Sequence, residues 1–316
     1  RKYLRKMAAV DASASEDQLK LSSDYTVDIF TKLGQGVFGI VYRGERKDGT
    51  PVAIKQITSE SMKETVDGME EIKILQKLPA HVNIVKFHDF FFVKKSFWLV
   101  MEFCDGGDLQ KYFKKLEGKI DVAVKVDFMR QLASGVKHLH DCRLVHRDLK
   151  PANALISFAT GQTVLKLTDF GISKLAEGKA NSMQTYMMST SLGTPCFMAP
   201  EIFKQEKYTS SVDVFSLGMI YSGMLDSEKN KGDILPLPDG PMIMPMPIGM
   251  LLAQPGSNVK VSPIVSSDPE IVKAVKGVIH KMVGANAGQR MSSTEVKTHM
   301  DKLYDSGKED IHHHCQ

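Results

Sequence analysis

Cysteine is scarce in this 316-residue chain: Cys104, Cys142, Cys196 and Cys315 stand far apart, with no CxxC pair among them. That spacing excludes the ligand sets of zinc ribbons and fingers and a disulfide framework, and it predicts reduced thiols in a cytoplasmic setting. Long apolar runs are missing too. No stretch of eighteen apolar residues occurs, which predicts that no membrane segment lies within the chain, and the opening RKYLRKMAAV lacks the apolar core of a secretory signal. Neither sign of charge dominates. Lys and Arg number 41 against 37 Asp and Glu, a formal charge of +4 that gives no ground for nucleic acid as an obligatory partner. The basic cluster Arg1, Lys2, Arg5 and Lys6 reads as a solvated terminus rather than a lipid anchor, and a start at Arg1 leaves room for a longer parent protein.

What is present is the composition of a globular protein, 42% hydrophobic and 25% charged, long enough to bury one large core or two modest ones. No internal repeat interrupts it. Residues 1–23 hold too few apolar side chains for a core and read as a flexible or helical extension. From Tyr25 onward short β-favouring runs broken by glycine follow one another: TVDIFTKL, GIVYRG, PVAIKQIT, NIVKFHDFFF and SFWLVMEF. They predict a small five-stranded antiparallel sheet over 24–103. One helix interrupts it at 61–78, where Met62, Val66, Met69, Ile72, Leu75 and Leu78 recur at helical steps before Pro79. After DGGD at 105–108 the periodicity turns helical, first over 108–116 and then over 122–140 with a stripe of Val124, Phe128, Leu132, Val136 and Leu139. A larger, mainly helical region thus fills 104–305, and 306–316 is a tail whose His312, His313 and His314 carry no reading of their own. The proline-rich stretch 226–267, centred on PMIMPMPIGMLL, forbids an uninterrupted helix and reads as a loop-rich insertion or docking surface.

Chemistry first shows at Gly34-Gln35-Gly36-Val37-Phe38-Gly39, a turn without bulky side chains between two predicted strands. Such a turn lets backbone N–H groups approach phosphate oxygens, and because a strand follows it instead of a helix, a flap over a nucleotide fits better than a dinucleotide fold. In Val52-Ala53-Ile54-Lys55 a cation sits inside an apolar strand, where burial demands an anion. Glu71 on the following helix is the expected partner, and the pair would hold Lys55 toward α- and β-phosphates. Further on come His146-Arg147-Asp148-Leu149-Lys150-Pro151-Ala152-Asn153, and twenty-one residues after Asp148 the triplet Asp169-Phe170-Gly171.

Taken in order, GQGVFG, VAIK, HRDLKPAN, DFG, GTPCFMAPE and DVFSLG resemble the eukaryotic protein kinases over most of 25–305. The resemblance implies an α+β, two-lobed kinase fold and ATP-dependent, Mg²⁺-dependent phosphoryl transfer to protein hydroxyls. It implies Asp148 as base, Lys150 on the γ-phosphate, Asn153 and Asp169 on Mg²⁺, and Lys55 with Glu71 on the other phosphates. Gly34, Gly36, Gly39, Val41, Ala53, Leu155 and the gatekeeper Met101 would line the nucleotide, with the backbone of Glu102 and Cys104 on the adenine. Asp108 is placed either for the ribose or as a helix cap. Lys150 and Thr194 look like serine/threonine-directed members, so the expected partners are proteins with Ser and Thr. Arg147 beside a segment holding Thr185, Thr190 and Ser191 implies control by phosphorylation, through an upstream kinase or autophosphorylation in trans. Asp213 would brace the catalytic loop and Arg290 would pair with Glu201. Ala152 and Phe215 depart from commoner residues, and the 226–267 stretch lacks the usual substrate-platform signature. The competing readings are a nucleotide-binding pseudokinase scaffold, and the kinase part of a larger receptor or stress sensor.

Overall fold

The structure, a computed structural model, describes the backbone of residues 18–36, 39–58, 62–159, 161–170, 194–236 and 246–313. These fall into two compact units, one holding residues up to His81 together with Val85–Asp105, the other holding Val82–Ile84 and the rest of the described chain from Gly106.

The first unit is a sheet with one helix. Strands β1 (Gln18–Lys20), β2 (Tyr25–Gly36), β3 (Gly39–Arg46), β4 (Pro51–Thr58), β5 (Phe87–Val93) and β6 (Ser96–Glu102) pair antiparallel in the order β1-β2-β3-β4-β6-β5. The five expected strands are all present. A sixth comes from residues read as an extension, with Gln18 opposite Asp28 and Lys20 opposite Thr26. Just past that strand Leu21 is 1% exposed and joins Tyr25, Val27, Tyr42, Val52, Ile54, Phe91, Trp98 and Val100 in one core. Residues 18–21 are therefore part of the folded unit, because a buried leucine there outweighs the polar character of the surrounding segment. β4 and β6 are central, which is why both read as nearly continuous apolar runs and not as alternating ones. Helix α1 (Met62–Lys77) stops before Pro79 as expected, burying Ile72 and Leu75 but leaving Val66 55% exposed.

The second unit is mainly helical: α2 (Leu109–Lys115), α3 (Val122–Asp141), α4 (Pro200–Phe203), α5 (Ser211–Leu225), α6 (Ile248–Leu252), α7 (Glu270–Met282) and α8 (Ser293–His313). Asp108 caps α2 by accepting the Lys111 N–H at 2.9 Å, and Asp121 caps α3 by accepting the Ala123 N–H at 2.7 Å. Along α3, Phe128, Leu132, Val136 and Leu139 form the buried stripe, while Val124, in the first turn, is exposed. α5 is buried all round, from Val212 to Met224, and forms the centre of this unit. A two-stranded sheet, β7 (Ala154–Ser157) with β8 (Val164–Leu167), lies against α3. The proline-rich insertion is packed at both flanks: Ile234, Ile248 and Val261 are buried, and Gly249 approaches the Met198 carbonyl so closely that a Cβ would lie 2.0 Å from it. Its centre, 237–245, lies outside the described residues.

Candidate active site

In the sheet unit, β2 and β3 form a hairpin with Gly34 opposite Val41 and Gly36 opposite Gly39. The three glycines are not equivalent. Gly39 has φ +126°, and a Cβ there would lie 2.0 Å from the Gln56 carbonyl oxygen, so only glycine lets β3 run this close to β4. A Cβ on Gly34 or Gly36 would meet nothing within 4 Å. The space that those side chains would fill is open beside the hairpin backbone, as a phosphate cradle requires.

One strand further in, Lys55 is 3% exposed, with Val41 and Leu99 as its partners in register on β3 and β6. Ala53 is paired with Met101, and Val52 with Glu102, so the expected nucleotide-facing residues sit on adjoining central strands. The Glu102 N–H donates to the Lys86 carbonyl at 2.9 Å, and its carboxylate accepts the Lys86 N–H at 3.1 Å. Next to it, the Arg43 guanidinium covers the Phe103 ring at 5.1 Å, and Cys104 is buried. Glu71 lies within α1, but its side chain, and with it the expected pair with Lys55, is outside the described residues.

In the helical unit, Asp148, 6% exposed, is held from two sides. The Asn153 amide nitrogen donates to its carboxylate at 3.0 Å and to its carbonyl at 2.7 Å, and Lys150 Nζ is 2.8 Å from the same carboxylate oxygen. With its amide nitrogen so engaged, Asn153 offers its side-chain oxygen Oδ1, not its main-chain carbonyl, as a cation ligand. The loop backbone is braced from α5. Asp213, 1% exposed, accepts the N–H groups of His146 at 2.7 Å and Arg147 at 2.9 Å, and lies 2.9 Å from His140 Nε2. This bracing holds Arg147 at φ +69°, a conformation that non-glycine residues seldom adopt. Its guanidinium lies 5.8 Å from the Tyr208 ring centre.

His146 joins this loop to the end of β8. Its Nε2–H donates to the Thr168 carbonyl at 2.9 Å, while Nδ1 faces the Asp148 N–H at 3.4 Å. Complete burial pushes the imidazole pKa down, outweighing the nearby carboxylates of Asp213, Asp148 and Asp169, so the ring is neutral. The Thr168 N–H donates to the Asn153 carbonyl at 3.0 Å, and the following Asp169 is also left-handed, at φ +64°. Asn153 and Asp169 thus come from two adjoining segments fastened to each other, and both offer oxygen, the donor that Mg²⁺ prefers. Among the described residues no cluster of three His, Cys, Asp or Glu side chains is able to hold a metal by itself. Two such ligands leave places in a cation's coordination shell that phosphates and water are able to fill.

Other expected residues fall into place around this loop. Leu155 lies on β7, and an isolated antiparallel bridge joins it to Asp108, whose carboxylate is already used as a helix cap and by Lys111 Nζ at 3.0 Å. Arg290 reaches both Glu201 oxygens at 2.7 Å and lies 5.0 Å from the centre of the Phe215 ring, so Phe215 supplies the aromatic face for this buried pair. Thr185, Thr190 and Ser191 lie outside the described residues. Sequence reasoning missed His140 as a partner of Asp213, and Asn83 and Gln131, which meet β8; no spacing rule marks a polar residue whose partners are distant in sequence.

A glycine hairpin, a lysine buried in a central strand, and a braced loop carrying Asp148, Lys150 and Asn153 define the protein kinases, and the family described as "Protein kinase domain" matches residues 27–300. The chain belongs to that family. Over 214 residues it is 40% identical to the probable serine/threonine-protein kinase zyg-1 of Caenorhabditis briggsae, covering 67% of this chain and 28% of that protein. It is 36% identical over 204 residues to the serine/threonine-protein kinase ATG1b of Arabidopsis thaliana, covering 64% and 27%. Against the serine/threonine-protein kinase atg1 of Dictyostelium discoideum it is 35% identical over 227 residues, covering 68% and 32%. The chain thus spans about a third or less of the length of these relatives.

Proposed function

We propose that this chain transfers the γ-phosphoryl group of ATP to serine and threonine hydroxyls of proteins, in the cytosol. The observation that carries this reading is Asp148, a buried carboxylate with one oxygen held by both Asn153 and Lys150 at 3.0 and 2.8 Å. A fixed carboxylate orients an acceptor hydroxyl and takes its proton. Lys150, already within reach, neutralises charge on the transferring phosphoryl group. Bound Mg²⁺ supplies neutralisation of the β- and γ-phosphates, and Asn153 and Asp169 would hold it. Within the sheet unit, Gly34, Gly36 and Gly39 are assigned to the phosphates, Lys55 with Glu71 to the α- and β-phosphates, and Val41, Ala53, Met101, Glu102 and Cys104 to the base. Within the helical unit, Leu155 is assigned to the base and Asp108 to the ribose. The cap and ion pair of Asp108 argue that its ribose contact comes at the expense of Lys111. Regulation is assigned to phosphate on Thr185, Thr190 or Ser191, added by an upstream kinase or in trans and read by Arg147.

The test is transfer of labelled γ-phosphate from ATP and Mg²⁺ to a generic basic protein by the chain, Asp148→Asn and Asp169→Ala. The expected result is label on serine and threonine that falls at least about a hundredfold in both variants. Undiminished transfer by either variant overturns that residue's assignment. Nucleotide binding without transfer, persisting after treatment with another kinase, favours the scaffold.

A further inference from the structure

β8 leads directly into Asp169, yet among the described residues it pairs as a strand with β7 alone, and its other side has only an isolated parallel bridge between Ile84 and Leu167. Leu165 and Leu167 are 0% and 1% exposed, so the backbone groups that they turn away from β7 are out of reach of water. Two side chains and one loop carbonyl take the place of the missing strand. Gln131 of α3 accepts the Leu165 N–H through Oε1 at 2.8 Å. Asn83 donates its amide to the Leu165 carbonyl at 2.9 Å, and its own carbonyl accepts the Leu167 N–H at 2.9 Å. The two amides also bond to each other, at 3.2 Å.

Gln131 is in turn fixed at its nitrogen, which donates to Asp127 at 2.7 Å and to the Thr163 carbonyl at 3.1 Å. Asp127 is gripped by Arg130 at 2.7 and 3.0 Å, and the Arg130 guanidinium lies 4.4 Å from the centre of the Tyr304 ring. One turn along α3, a Cβ on Gly135 would lie 2.9 Å from the Asn83 carbonyl oxygen and 2.9 Å from Leu167, so glycine permits this close approach. A methionine or leucine at 131 would satisfy the need for burial equally well. A primary amide there makes sense through its bonds, because an unbonded one would be penalised in this environment.

We propose that Gln131 and Asn83 are positioning residues for the cation-binding oxygens: acting together as a third strand, they set where Asp169 stands relative to Asn153. The path is short. From the bonded Leu167 amide, one residue, Thr168, intervenes, and its own N–H is fastened to Asn153. Mg²⁺ and Mn²⁺ demand short, well-directed oxygen contacts, so a small displacement of one ligand weakens metal binding much more than nucleotide binding. The proposal rests on the assignment of Asn153 and Asp169 to the metal.

The test uses the full chain and Gln131→Met, which keeps length and burial and removes both halves of the amide. Three quantities are read: hydrogen-exchange protection of the Leu165 and Leu167 amides, Mn²⁺ affinity by electron paramagnetic resonance with a non-hydrolysable ATP analogue, and analogue affinity in EDTA. We expect lower protection at Leu165, Mn²⁺ affinity weakened at least about tenfold, and analogue affinity in EDTA within about twofold of the unaltered chain. If Gln131→Met does not fold, Asn83→Ala, which leaves the backbone carbonyl for Leu167, carries the same comparison. Unchanged Mn²⁺ affinity in a folded variant that has lost protection makes the amides merely structural and overturns the proposal. Failure of the unaltered chain to bind Mn²⁺ with the analogue instead overturns the underlying metal assignment, and the unaltered titration separates the two failures.

Discussion

His146 is fully buried, and its hydrogen bonds require one N–H and one bare nitrogen, which is the neutral ring. Its folded pKa lies below about 6.5, the value expected once the chain unfolds, so the unfolded state takes up the proton first as pH falls. Its contribution to stability is complete above about pH 6.5 and is lost progressively as pH drops below that value. Unfolding measured between pH 7.5 and 5.5 should show a steeper loss for the unaltered chain than for His146→Gln. Parallel profiles would contradict the neutral buried ring. At this scale the sequence exposes residue types at fixed spacing: Asp148, Lys150 and Asn153 are close in the chain and close in space. It does not expose that the Asn153 amide nitrogen is spent on Asp148, because that depends on the curl of the 3₁₀ turn at Pro151–Asn153.

Elements give a different test, since the glycines of the β2–β3 hairpin answer to different constraints. Gly39→Ala places a Cβ against the Gln56 carbonyl at φ +126° and is expected to destabilise the chain by about 1–3 kcal/mol. Gly36→Ala meets no atom, so thermal unfolding should move by less than about 1 kcal/mol while affinity for ATP falls, as the added methyl fills the space assigned to phosphate. Equal losses of stability in the two variants would remove the distinction. Helices and central strands were legible because their periodicity is set by burial on one face or two. α1 ends where Pro79 predicts, and α3 follows its stripe to within one residue at its C-terminus. The misreadings sit at ends. Val66 and Val124, within the first five residues of their helices, obey the helical period yet are exposed, because an apolar side chain near a helix start is buried only where another element packs on it. Residues 18–21 look like a tail until β2 offers them an edge to pair with.

For the whole molecule, ligand binding to the folded state alone adds stability by mass action. At about a hundred times its dissociation constant, an ATP analogue with Mg²⁺ should raise the unfolding free energy by about 2.7 kcal/mol. Asp169→Ala should lose the part of that increment that depends on Mg²⁺, read by calorimetry with and without EDTA. An equal increment in Asp169→Ala would place the metal elsewhere. The chain carries a small charge of +4, and no helix among its described residues is long and apolar enough to cross a membrane. The matched region is about a third or less of each of these relatives, so their names alone assign this chain neither substrates nor partners.

By itself the sequence determined the family, most of the strands and helices, and which charged residues stand at motif spacing, because each is written in local spacing and in the chemistry of single side chains. Only the tertiary structure decided how those charges are held. His140 meets Asp213 across 73 residues, Asn83 bonds to a strand 82 residues on, and Gln131 bonds to the same strand across 34. Hydrogen bonds act over about 3 Å and leave no periodic trace in the chain, so these partners appear only once burial has brought the segments together.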